Sequence, residues 1–395
     1  MEMQYSDAPI LQYSISIPYP LLPGRTETMC IENNPLEGIM TSRERILAAM
    51  RFEKVDRVPV SPWHFAKVDP DSPLGRELLR KTDLIHDTGS GGDPILGKAA
   101  KSDREQQGDV AITTVRTPKG DLISKYRRTE ITGATIEFFL KEPDDIEKML
   151  SIPYEPPDFD LSAYANWRDR IGDEGLVLIG MPNGVAIPAS WFSPEGFCLA
   201  WADAPDLVER LTAVATDRLI DWVERLCREG VAGFRIVGGE YASVQLGPEG
   251  FKRLCVQYDR ELVRAIHKYG AVAHYHNHGP VMRCLEPFAE IGMDSLDPLE
   301  APPWGDCDLG EARRRLGDQV CFCGNLDDME IVDKLPTEQV LAIARERLEA
   351  AGDKGFMLGG TTSGTFGEQG ARNFIAMAEM VAGKDGRWSM ADGRM

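Results

Sequence analysis

The chain is short of several things, and each shortage narrows what it can do. Its 395 residues carry 44 Lys and Arg against 63 Asp and Glu, a formal net charge of −19. A surface of that sign repels phosphate backbones and anionic lipid headgroups, and no basic cluster with interleaved aromatics offsets it. Nucleic acid and membrane are therefore not expected partners. No apolar run approaches the roughly 18 residues that a spanning helix needs. The opening MEMQYSDAPILQYSISIPYP lacks the charged-then-apolar order of a signal peptide, so the cytoplasm is the expected location. Cysteine is sparse: eight residues, at 30, 198, 227, 255, 284, 307, 321 and 323, lie scattered rather than in a framework, as suits free thiols in a reducing compartment. The Cys321-x-Cys323 pair is expected to pack in a core rather than to bind metal. What is present, 43% hydrophobic and 27% charged residues, describes a globular chain long enough to bury a sizeable core.

Residues 1–39 are rich in Pro and polar residues without a sustained period and read as an N-terminal extension. Thr41 with Glu44 then forms a capping-box pattern ahead of ILAAMRF, and DRVPVSPWHF reads as a short strand ending near Trp63 and His64. From about residue 173, strands at 176–183, 234–241, 271–279, 293–300, 319–327 and 355–363 alternate with helices at 203–229, 249–269, 281–291, 309–317 and 337–351. Such alternation predicts parallel strands covered by helices. Most of the strands end in Gly, Asn, Asp, Glu or His, the arrangement that a TIM (β/α)8 barrel places around its active site. One barrel domain is expected over 40–386, with a β-hairpin and helix insertion at about 66–172 and a tail at 387–395. The hairpin is expected at 113–130 around a Lys-Gly-Asp turn.

Histidine is also scarce, with six residues in all, yet three fall in 274-HYHNHGP-280. Alternate residues of a strand share a face, and a rise of about 3.3 Å per residue sets neighbours in this trio about 6.6 Å apart. One metal cannot easily take all three. His276 and His278, nearest the strand's end, can share a site, while His274 lies deeper as a hydrogen-bonded core residue. Glu240 ends the preceding strand in Gly-Gly-Glu, and a carboxylate at a barrel mouth is costly without a partner. From the residues alone, metal binding and proton transfer both remain open.

The segments TSRERILAAMRFEKVDRVPV, GPEGFKRLCVQYDRELVRAIHKYGAVAHYHNHG, GMDSLDPLE, GDQVCFCGNLD and GFMLGGTTSGTF resemble the uroporphyrinogen decarboxylase superfamily, over about 40 to 380. The superfamily's fold is the TIM barrel, and its members include haem-pathway decarboxylases and methyltransferases working with corrinoid proteins or coenzyme M. Decarboxylases carry an Arg-Gln-Ala-Gly-Arg-Tyr segment after the first strand, where this chain reads SPWHFAKVDPDSP. Coenzyme M methyltransferases carry His-x-Cys-Gly and Gly-Cys-Gly, where this chain has His276-Asn277-His278-Gly279 and Gly359-Gly360-Thr361. The methyltransferases that open O-demethylation of methoxylated aromatics space their zinc ligands as Glu, fourteen residues, Glu, twenty residues, His. Glu240, Cys255 and His276 match that spacing, with Cys in the middle place.

The resemblance thus implies zinc on Glu240, Cys255 and His276, acting as Lewis acid while a methyl group leaves a small methylated substrate, a methoxylated aromatic first. The acceptor would be the cobalt of a corrinoid (cobalamin). This chain lacks an Asp-x-His-x-x-Gly element, so a partner corrinoid protein would carry it. His278 and Glu300 are the expected catalytic residues, and Trp63, His64, Asn183, Trp191 and Asn325 are expected to line the substrate pocket. The alternatives are a lyase of the uroporphyrinogen decarboxylase kind, using His276 or His278 as general acid, and a non-catalytic barrel that binds a corrinoid protein. A homodimer is compatible with either.

Overall fold

The computed structural model describes residues 40–130, 132–361 and 364–383. The expected extension at 1–39 and the expected tail at 387–395 lie outside the described residues. The first helix, Ser42–Met50, starts where the capping box placed it: the Thr41 hydroxyl accepts from Glu44 N while the Glu44 carboxylate accepts from Thr41 N. From that helix the buried Arg45 reaches Asp56 and Asp83, each at 2.6 Å, and Asp83 also accepts from Val60 N at 2.9 Å. One charged cluster thereby ties the helix to the starts of the first two barrel strands.

Eight strands form a parallel sheet: β1 (Val60–Ser61), β2 (Leu84–Thr88), β7 (Gly175–Pro182), β8 (Gly233–Val237), β9 (Val272–His276), β10 (Ser295–Asp297), β11 (Cys321–Asn325) and β12 (Phe356–Gly359). Their order is β1-β12-β11-β10-β9-β8-β7-β2, and a parallel bridge between Trp63 and Ile85 brings β1 back to β2. The result is a nearly closed (β/α)8 barrel, as the alternation predicts. Both faces of such strands are covered, which explains their continuous apolar runs. Trp63, Ile85, Leu178, Val272, Cys321, Cys323 and Met357 pack inside, so the Cys321-x-Cys323 pair is core as expected. Phe234, Ile236, Phe322 and Leu358 pack outward with the helices.

The stretch 66–172 holds more than an insertion, because it contributes barrel strand β2. It also carries a separate antiparallel sheet of β3 (Lys101–Gln107), β4 (Val110–Arg116), β5 (Leu122–Arg128) and β6 (Gly133–Glu137). The expected hairpin is β4 and β5; β3 and β6 extend it on either side. The expected helix over 203–229 is Pro205–Arg228, preceded by Pro194–Asp203. The helix over 249–269 is interrupted by a π-helical turn at Lys252–Val256 before Gln257–His267. Among the described residues no helix is long and apolar enough to cross a membrane.

Candidate active site

Strand β9 presents His274 and His276 to the barrel interior, and register sets them against β10, pairing His274 with Ser295 and His276 with Asp297. His274 Nδ1 lies 2.7 Å from Ser295 Oγ, and its ring stacks on Trp63 at 5.1 Å. Asp297 is fully buried between two imidazoles: Oδ2 is 3.0 Å from His276 Nδ1, and Oδ1 is 2.9 Å from His274 Nε2, off the line of a hydrogen bond. Burial alone would raise the Asp297 carboxyl, but the two imidazoles outweigh it and hold it well below the usual range. His276 is pushed down to about 4, first by burial and then by the Arg235 guanidinium. At neutral pH it is an uncharged imidazole.

One step further up, the ring of His278 stands 4.4 Å from that of His276, edge to face. Its Nδ1 is 3.0 Å from Glu300 Oε1, while Glu300 Oε2 accepts from Gly279 N at 2.6 Å. Burial lowers the affinity of His278 for a proton, but the hydrogen bond and charge of Glu300 more than reverse that, so its pKa lies above the ordinary value. The Glu300 carboxyl is lowered in return, despite its burial. Glu240 opens the short helix Glu240–Ser243 after β8. Burial raises its carboxyl, with His278 and Arg235 among the offsetting charges, and its Oε2 is buried without a hydrogen-bond partner. The mouth therefore holds an imidazole with a raised affinity for a proton, one with a lowered affinity, and a carboxyl inclined to keep its proton.

The rest of the wall comes from β1, β2 and β8, the last beside β9 with Arg235 in register with His274. Trp63 Nε1 donates to Asp87 Oδ1 at 3.0 Å, and His64 Nε2 contacts the same oxygen. The Arg235 guanidinium lies over the Trp63 ring at 4.6 Å, with Nη1 4.0 Å from Asp87 Oδ2. Left-handed backbone occurs at His64 (φ 58°), Leu299 (φ 54°) and Asn325 (φ 73°), following or ending β1, β10 and β11. Such conformations are costly for residues with a Cβ, and here they gather at the strand ends around the mouth.

A second polar network lies on the other side of β9. Tyr275, whose side chain points opposite to those of its neighbours, donates to Asp259 Oδ2 at 2.6 Å. Asn183 Nδ2 approaches Asp259 Oδ2 at 2.9 Å, Tyr275 Oη at 3.0 Å and Cys255 Sγ at 3.8 Å. All four residues are buried, and burial followed by the Asp259 charge raises the Cys255 thiol well above its ordinary value.

Of the residues expected from sequence, Trp63, His64, Glu240, His276, His278 and Glu300 come together at the mouth. Asn325 is buried at the end of β11, its amide donating to Leu299 O. Asn183 belongs to the outer network rather than to the pocket. Trp191 packs against Phe139 at 6.3 Å. The expected zinc ligands are not gathered: Cys255 is a protonated thiol on the Tyr275 side of β9, and among the described residues no three His, Cys, Asp or Glu stand where they could hold one metal ion. As placed, the three do not fit a shared zinc. Sequence reasoning missed Asp297, Asp87 and Arg235. Asp297 had a signal, standing in a strand already recognised, but its partners are set by register.

Residues 188–381 match the family model described as uroporphyrinogen decarboxylase (URO-D). A uroporphyrinogen decarboxylase from Dechloromonas aromatica (strain RCB) is 29% identical over 217 residues, a match covering 51% of this chain and 56% of that protein. The chain thus spans about half the length of this curated relative. Among solved structures, a methyltransferase from Methanosarcina mazei is 15% identical with a TM-score of 0.59, covering 86% of this chain and 98% of that one. The fold is therefore of the uroporphyrinogen decarboxylase kind, shared with a methyltransferase of that architecture.

Proposed function

We propose that this barrel of the uroporphyrinogen decarboxylase kind is a lyase-type enzyme whose His278 acts as general acid at the mouth. The observation that carries the reading is the His278–Glu300 pair at 3.0 Å, one-third exposed on the histidine side, beside the neutral His276. Glu300 raises the imidazole's affinity for a proton and, anchored by Gly279 N, fixes its orientation. In a decarboxylation the C–C bond to the carboxylate breaks, carbon dioxide leaves, and the electron pair stays on carbon until His278 delivers its proton there. Solvent then reprotonates the imidazole. The absence of the Arg-Gln-Ala-Gly-Arg-Tyr segment directs the search away from tetrapyrrole substrates. The test is carbon dioxide release from a panel of small carboxylic acids: turnover by the native protein with loss in His278→Gln supports the reading, and full activity in that variant ends it.

A second reading is methyl transfer from a small methylated substrate to a corrinoid carried by a partner protein. The unpartnered Glu240 Oε2 at the mouth favours it, as does the methyltransferase with which the fold is shared. Formation of methylcobalamin from cob(I)alamin and a methylated donor would establish it in place of the first.

A further inference from the structure

His64 stands across the barrel from His278. In the strand order three strands separate β1 from β9 in either direction, so the ends of these two strands lie on opposite sides of the mouth. One level deeper, Trp63 and His274 stack at 5.1 Å and close the interior with two aromatic rings. Above that floor the side chains of His64 and His278 are 32% and 33% exposed, so solvent reaches both. Each is held by a carboxylate. His64 Nε2 contacts Asp87 Oδ1, the buried oxygen that also accepts from Trp63 Nε1. Strand alternation would turn His64 away from Trp63, and its left-handed backbone (φ 58°) brings both rings to the one oxygen. That oxygen is nearer to Nε2 than the backbone nitrogen of Asp87, which lies 3.3 Å away, so Nε2 carries the ring proton and Nδ1 the lone pair. Nδ1 has no hydrogen-bond partner among the described residues and is open to solvent. His86 at 4.3 Å, with Trp167 behind it at 4.0 Å, covers the ring on the helix side, which leaves the mouth as the side from which a ligand reaches it.

We propose that His64 is a catalytic base that takes the proton of an acidic hydroxyl on the substrate, and that the substrate is a hydroxylated aromatic carboxylic acid held between His64 and His278. The inference rests on the lyase reading only for the role of His278. An imidazole takes a proton from a hydroxyl of phenolic acidity, ordinarily about 10, far more readily than from an alcohol. The stacked rings of Trp63 and His274 offer a flat aromatic ligand a floor of its own kind. In the reaction the hydroxyl proton passes to His64 Nδ1, and the oxygen's electron pair enriches the ring carbon that bears the carboxylate. Asp87, beside Nε2, stabilises the imidazolium so formed. The enriched carbon takes the proton of His278 and releases carbon dioxide, the bonding pair returning to the ring. His64 then gives its proton back to the oxygen, and solvent reprotonates His278.

The experiment is a titration of the full chain at neutral pH with 4-hydroxybenzoate and, separately, 4-methoxybenzoate, read in the initial ultraviolet difference spectra. The native protein and His278→Gln are expected to show the absorption of an ionised hydroxyl on binding 4-hydroxybenzoate, and to bind it about 10- to 100-fold more tightly than the methyl ether. His64→Asn, whose side chain also tolerates left-handed backbone, should bind it with the hydroxyl neutral and without that preference. The native spectra and preference carry the test should His64→Asn fail to fold by circular dichroism. No binding, a neutral bound hydroxyl in the native protein, no preference over the ether, or undiminished ionisation in folded His64→Asn overturns the proposal. Full carbon dioxide release by His64→Asn would end the base while leaving the lyase reading standing. Ionisation lost in His64→Asn together with full turnover in His278→Gln would uphold the base while ending that reading.

Discussion

The two faces of strand β9 hold polar networks of similar size and opposite fate. Inside the barrel, His274 and His276 share Asp297 and lead up to His278 and Glu300, whose side chains are partly open to solvent. Outside, Tyr275, Asp259, Asn183 and Cys255 bond to one another between the sheet and its helices, sealed from water. The inner network places a proton where a ligand can reach it. The outer one fixes β7, β9 and the helix Gln257–His267 relative to one another. Buried polar groups of the same kinds can therefore serve catalysis or architecture, and exposure at one end separates the two.

Substitutions sharpen that contrast. The largest effect is expected for His278→Gln: kcat lower by about 10²- to 10⁴-fold, with a denaturation midpoint close to native because the side chain is one-third exposed. Asp297→Ala leaves two buried imidazoles without their shared carboxylate and should cost about 3–5 kcal/mol in urea denaturation. Tyr275→Phe removes a donor from the buried Asp259 and should cost about 1–3 kcal/mol while leaving kcat near native; a kinetic defect of the His278→Gln size would erase the distinction between the faces. Cys255→Ala should leave kcat within about twofold, as expected for a side chain away from the reacting atoms, whereas loss of bound metal together with activity would favour the zinc reading.

The smallest effect is in pH dependence, where the two faces act with opposite sign. Burial raises Asp259 to about 7, with Tyr275 and Asn183 offsetting only part of it, so the native state holds a proton that the unfolded chain releases near 3.8. Its contribution is full below the unfolded value and is lost as pH rises through 7. His276, pushed down to about 4 by burial and Arg235, stays neutral where an unfolded imidazole takes up a proton below 6.5. Acidification from 6.5 to 4 therefore weakens the fold through His276 and not through Asp259. Chemical denaturation at several pH values should show Asp259→Asn steepening the loss on acidification and His276→Gln relieving it.

The barrel was legible because its strands are apolar runs ending in polar residues, each followed by a helix. Two kinds of strand escaped. β2 is only five residues long and precedes a glycine-rich loop, and β3, KSDREQQ, is exposed throughout, held by its backbone ladder with β4 rather than by burial. At the site, period-two alternation correctly put His274 and His276 on one face. Their partners could not be read, because Asp297 and Glu300 meet the histidines through parallel register across more than twenty residues. Cys255 illustrates the limit of spacing: the π-helical turn at Lys252–Val256 shifts the phase of the helix that carries it, and the thiol faces Asn183 and Tyr275.

The central claim is a division of labour between adjacent imidazoles, one charged by Glu300 and one kept neutral by its burial. Titration of the histidine Cε1–H resonances by NMR, assigned with single His→Gln variants, measures it directly. The account predicts that His278 titrates above its ordinary value and drops in Glu300→Gln, while His276 stays neutral down to about pH 4. A charged His276 beside a neutral His278 at pH 7 would contradict it.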